Sequence, residues 1–115
     1  MERKKRVSRS KNVVVAFAPR PSDIEARVRE LASTKDVRWS EHALDRMEER
    51  EISRLEVLRV LRLGSISGDV HAGKHPGEWK VKMTFRPKGS REIGVVTVVL
   101  NMECLLLKTV EWEDL

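Results

Sequence analysis

Hydrophobic positions along this chain change period near its middle, from the spacing of helices to the spacing of strands. Ile24, Val28 and Leu31 fall on one helical face. Ser22 followed by Glu25 has the form of a capping box, just after the breaks at Pro19 and Pro21, so a helix is predicted from Asp23 to about Ala32. After a brief link at Val37-Arg38-Trp39, Ser40 is placed to cap a second helix whose apolar face is Ala43, Leu44 and Met47. Ser53 and Glu56 form another capping box, opening a third helix with Leu55, Val57, Leu58 and Leu61, and Gly64 is its natural stop. Val13 to Phe17 reads as a short edge strand or an anchor.

Beyond Gly64 the pattern is that of strands. Ser65 to Val70 is a candidate strand, followed by a His71–Gly77 loop rich in Gly and His. In Glu78–Arg86, alternation puts Trp79, Val81, Met83 and Phe85 on one face and Lys80, Lys82, Thr84 and Arg86 on the other. The cations then recur about every 7 Å, near the spacing of phosphates on a nucleic-acid strand. A turn at Pro87–Ser90 leads to Ile93–Leu100, nearly all apolar as a central strand would be, and Cys104–Trp112 is the last strand. The expected fold class is α+β: two to three N-terminal helices packed on one face of a three- to four-stranded antiparallel sheet.

Charge divides the chain in two. Residues 1–11 hold Arg3, Lys4, Lys5, Arg6, Arg9 and Lys11 against Glu2, which accounts for the whole formal net charge of +5. The expected organisation is a flexible basic tail at 1–11 and one α+β domain at 12–115. Such a tail suits salt-sensitive attraction to RNA, DNA or ribosomes, and equally serves solubility. Cys104 is the only cysteine, so no disulfide forms within the chain and a reducing, cytoplasmic location is expected. No apolar run reaches the length of a membrane span and no signal-peptide core opens the chain, so no membrane partner is expected.

Motifs for several chemistries are missing. His71 and His75 are four apart, but in a Gly/Pro loop without a cysteine cluster or an HExxH helix, so neither a metal nor another cofactor is expected. No Walker loop and no nucleophile elbow is present. Acid–base cleavage of RNA stays open: it needs a base for the ribose 2′-OH, cations for the phosphate and an acid for the leaving oxygen. Candidate catalytic residues by type are His42, Arg46, Lys74, His75 and Lys82, with Lys80, Arg86, Arg50 and Lys108 as candidate RNA-binding cations. Four have a plainer reading: His42 as a helix-start residue, Arg46 and Arg50 as partners of nearby acids, and Lys108 as an edge lysine. Spacing does not decide whether they converge.

The segment Trp39-Ser40-Glu41-His42-Ala43-Leu44-Asp45-Arg46-Met47-Glu48-Glu49-Arg50-Glu51-Ile52-Ser53 resembles the S-x-HA-x-x-R-x-x-x-R-x-I-S signature of a bacterial family. That family is known as domain of unknown function 4258 and is related to the RelE/ParE toxin superfamily. Val57 to Leu61 and Gly64 continue the likeness. One departure is Glu51, where the family usually has Gly. A weaker resemblance is to the mRNA-cleaving toxin of the motility quorum-sensing regulator system, through Val37-Arg38-Trp39-Ser40 with Ala43 and through Val81-Lys82-Met83-Thr84. Lys82 matches a strand lysine there, whereas the catalytic Tyr of that toxin has no counterpart in a chain with no Tyr.

The resemblances imply a toxin-like endoribonuclease of a type II toxin–antitoxin system, acting on RNA, on or off the ribosome, and held by a cognate antitoxin. The alternatives are a non-catalytic module of the same fold, binding RNA, ribosome or protein, and a gyrase-directed toxin.

Overall fold

The structure, a computed structural model, describes residues 18–87, 89 and 91–113; the basic tail and the Val13–Phe17 run lie outside the described residues. Helix α1 spans Pro21–Leu31, with Pro21 in the first turn and Arg20 as an N-cap that offers no side-chain hydrogen bond. The helix therefore starts two residues earlier than the Ser22 capping box implied. A proline at the first helical position loses nothing, because the N–H there has no partner in any case. Glu25, freed from capping, accepts the Ile66 backbone N–H at 2.9 Å and pairs with Arg29 at 3.3 Å.

Helix α2 (Glu41–Arg50) is capped by Ser40, whose Oγ accepts the Ala43 N–H at 3.0 Å. Helix α3 (Arg54–Leu63) opens on the reciprocal Ser53–Glu56 box and stops at Gly64. Gly64 is there for space rather than for a left-handed turn, since its backbone is extended. A Cβ at Gly64 would lie 2.4 Å from the Thr84 carbonyl oxygen and 2.5 Å from that of Val60.

Five strands follow the order β1-β5-β4-β3-β2 in one sheet: β1 (Val37–Trp39), β2 (Ser65–Ala72), β3 (Glu78–Phe85), β4 (Ile93–Leu100) and β5 (Cys104–Trp112). Two expectations are corrected. The link at Val37–Trp39 is an edge strand, and because it runs parallel to β5, with Val37 opposite Leu105 and Trp39 opposite Leu107, the sheet is mixed rather than antiparallel. Its three residues carry too little pattern to announce a strand; pairing with the distant β5 makes them one. The remaining four strands form an antiparallel meander with β4 at the centre.

All three helices pack on one face. Ile24, Val28 and Leu31 of α1, Ala43 and Met47 of α2, and Val57, Val60 and Leu61 of α3 form a single buried cluster with Val81, Met83, Ile93, Val95, Val99, Leu105, Leu107 and Val110. Burial of this apolar surface is the main force holding the layers together. The opposite face is covered by no helix among the described residues, and it is there that the chemistry-bearing side chains collect.

Candidate functional site

Alternation along β3 sends Lys80 and Lys82 to the open face, opposite the buried Val81 and Met83. Register then assembles a row across the sheet: His71 of β2, Lys80, Val98 of β4, Leu106 of β5 and Arg38 of β1 stand side by side. Val98 is only 7% exposed although no helix lies above it. Its neighbours Lys80 and Leu106 shield it, as long lysine stems readily do.

A bulge completes the arrangement. The register between β4 and β5 shifts between Val96 and Thr97, so Val96 faces Thr109, Thr97 faces Leu107, and Lys108 is the extra residue. The buried Thr97 fills the bulge, its hydroxyl donating to the Leu106 carbonyl at 3.1 Å. Such bulges re-aim a side chain, and Lys108 is brought to the open face, where it lines a shallow cleft of about 540 Å³. Val98, Leu100 and Leu106 floor the cleft; Lys74, His75, Glu78, Lys80 and Lys108 surround it.

The rim is shaped by the β2–β3 loop. Glu78 Oε1 accepts the backbone N–H groups of Lys74 at 3.1 Å and His75 at 3.4 Å. The Gly73 N–H donates to the Glu78 carbonyl at 2.7 Å, and Gly77 (φ 86°) offers its carbonyl to the Asn101 N–H at 2.9 Å. Three ammonium groups thus face one carboxylate whose oxygen is already engaged by the loop. None of the three has an ion-pair partner among the described residues.

Among the sequence candidates, Lys74, His75, Lys80 and Lys108 are brought together. The others are not. His42 is exposed on the first turn of α2, in the helical layer and so on the far side of the sheet. On the same helix Arg46 is paired with Glu49. Arg50 is a staple between α2 and β5: it donates to the Val110 carbonyl at 2.7 Å, while Trp112 Nε1 donates to the Arg50 carbonyl at 3.0 Å. Arg86 lies just past the end of β3, exposed and outside the cleft.

Lys82 shares the open face but not the cleft. Its ammonium is held by Glu111 Oε2 at 2.9 Å and Glu113 Oε1 at 2.7 Å. The hydrogen bond to Glu113 is the main cause that raises the Lys82 pKa above 10.5, against an opposing effect of burial. The Lys82 ammonium in turn holds the Glu111 carboxyl below its ordinary value of 4.5, with Arg50 adding a smaller pull. A second cavity of about 220 Å³ adjoins the cleft through Lys80 and is lined by Ser67, Asp69, His71, Lys82 and Val96 among others.

Glu78, Glu111 and Glu113 escaped the sequence reading. Glu78 was visible at the head of the amphipathic strand, but its loop contacts depend on the turn. Glu111 and Glu113 could be related to Lys82 only through the strand order. Among the described residues no group of three His, Cys, Asp or Glu side chains is arranged to hold a metal ion, and no helix is long and apolar enough to cross a membrane.

The model of a family described as "Domain of unknown function (DUF4258)" matches residues 39–112, from the last residue of β1 to the last of β5. No curated protein and no solved structure matches the chain.

Proposed function

This chain belongs to the DUF4258 family, and on that premise we propose that it binds RNA on the open face of its sheet and cleaves it there, as the toxin of a type II toxin–antitoxin pair. One observation carries the reading: Lys74 and Lys80 meet the sequence-distant Lys108 around an apolar floor, with His75 and Glu78 beside them. Unpaired ammonium groups of this kind suit phosphates, and the floor suits the face of a base or sugar.

Cleavage would use the ribose as its own nucleophile. Glu78 takes the proton of the 2′-OH as its oxygen attacks phosphorus, the bond to the 5′ oxygen breaks, and His75 protonates that oxygen, leaving a 2′,3′-cyclic phosphate and a 5′-OH. Lys80 and Lys108 balance the charge that builds on the non-bridging oxygens. A cognate antitoxin would cover this face in the growing cell. The resemblance to RelE/ParE toxins agrees with the reading, although fold does not fix activity.

A second reading is favoured by the placement of His42, Arg46 and Lys82 outside the cleft, which leaves His75 as its only imidazole. The face would then bind RNA or ribosome without cutting.

The test is to map new RNA 5′ ends in bacteria after brief induction of the wild-type chain, with His75→Ala induced alongside, and to measure RNA binding by both purified proteins. New ends that vanish with His75→Ala support the nuclease. Intact RNA with binding that Lys80→Ala/Lys108→Ala abolishes supports the binding module. Arrested growth with neither would point to a target such as gyrase and would end both readings.

A further inference from the structure

The cationic face of β3 suggests a phosphate track running along the strand from Lys80 to Lys82. The structure closes that track. Two carboxylates, from Glu111 and Glu113, share the Lys82 ammonium at 2.9 and 2.7 Å. One would neutralise it, and the second is only partly balanced by the weaker pull of Arg50 on Glu111. Lys82 lies about 7 Å from Lys80 along the strand, within a Debye length of about 8 Å at physiological salt. A phosphate at Lys80 therefore senses the pair.

The geometry that makes this possible is specific. Glu113 follows β5, and its carboxylate meets the Lys82 side chain above β4, the strand between them. It does so above Gly94, where a Cβ would sit 2.2 Å from Glu113 Oε2 and 2.9 Å from Lys82 Cε. Glu113 Oε2 is itself buried with no hydrogen-bond partner, so this carboxylate is held down on the face at some cost. By contrast Lys80 on the row that crosses the strands, Lys74 in the β2–β3 loop and Lys108 at the β5 bulge have no ion-pair partner among the described residues.

We infer that Glu111 and Glu113 are specificity-determining residues that set the path of RNA: its phosphates follow Lys74, Lys80 and Lys108 around the cleft, and the acidic pair bars the path along β3 by occupying Lys82. This rests on the RNA-binding reading above. It assigns the two acids a role in limiting the number of phosphates held.

The experiment is a salt titration of binding to a short fluorescein-labelled single-stranded RNA, followed by anisotropy. Three full-length proteins are compared: wild type, Glu111→Gln/Glu113→Gln, and that double variant carrying Lys82→Ala as well. The double variant should bind several-fold tighter, with a slope of log K against log salt steeper by about 0.7, the value of one added phosphate on a single strand. Lys82→Ala in that background should return the slope to that of wild type.

RNA binding by wild type with an unchanged slope in the double variant would overturn the inference and leave the proposed function standing. A steeper slope that survives Lys82→Ala would also overturn it, because the gain would then be a general charge effect. No RNA binding by wild type would overturn both. Should the double variant fail to fold, Lys82→Ala in the otherwise wild-type chain is expected to leave the slope unchanged, because its ammonium is already taken by Glu111 and Glu113; a flatter slope would show Lys82 holding a phosphate and would overturn the inference.

Discussion

Glu51 ends α2 in the left-handed conformation, φ 56° and ψ 46°, a region that favours glycine. A side chain there costs on the order of 1 kcal/mol that glycine avoids. Glu51→Gly is expected to stabilise the fold by about 1 kcal/mol, less what glycine loses in unfolded-chain entropy; urea unfolding measures it, and a loss of stability would show the strain to be relieved elsewhere. A second residue-scale consequence concerns pH. Because Lys82 holds the folded Glu111 carboxyl below 4.5, folding favours its ionised form. That contribution is present above the ordinary value and is lost as pH falls through the lower, folded one. The raised Lys82 acts in the other direction: its contribution is present below 10.5 and disappears as pH climbs past the folded value. Unfolding midpoints measured from neutral pH into acid should therefore fall less steeply for Glu111→Gln than for wild type.

Elements differ in how their causes are distributed. The Ser53–Glu56 box is complete within one turn of chain, so its sequence sign was reliable, and Ser53→Ala should cost about 1 kcal/mol in thermal unfolding. Gly64 looked like an ordinary helix stop, and so it is, but its reason lies in Thr84 of the neighbouring strand. Since the obstructing atoms are backbone carbonyls, Gly64→Ala should destabilise by more than about 2 kcal/mol, where a simple end of helix would tolerate alanine. What was legible in the sequence follows the same division. Helices α2 and α3, strand β4 and the two faces of β3 were readable because caps and alternation act within a few residues. The start of α1 was misplaced because Ser22 has the form of a cap although the helix already begins at Pro21, with Arg20 as its N-cap. Strand β1 was missed because only its partner defines it. Half of the cleft was legible: Lys74, His75 and Lys80 are close in sequence, but Lys108 joins them through a bulge and the acids on Lys82 through strand order.

At the scale of the molecule, the formal excess of +5 resides in residues 1–11. On the proposed RNA-binding reading, deletion of that segment should lower RNA affinity and flatten its salt dependence; unaltered binding would remove those residues from any role in capture. The pairing of β1 with β5 has a further consequence, in time rather than in space. During synthesis the chain emerges from its N-terminus, and α1, β1, α2 and α3 are finished long before Leu105 to Leu107 exist. The apolar faces of those helices have no sheet to rest on until the meander has been made, and the first strand takes its place only beside the last. Contacts of such long sequence separation form slowly. The folded open face thus waits on β5, and a nascent chain that has not yet reached Cys104–Trp112 lacks the surface on which Lys74, Lys80 and Lys108 meet.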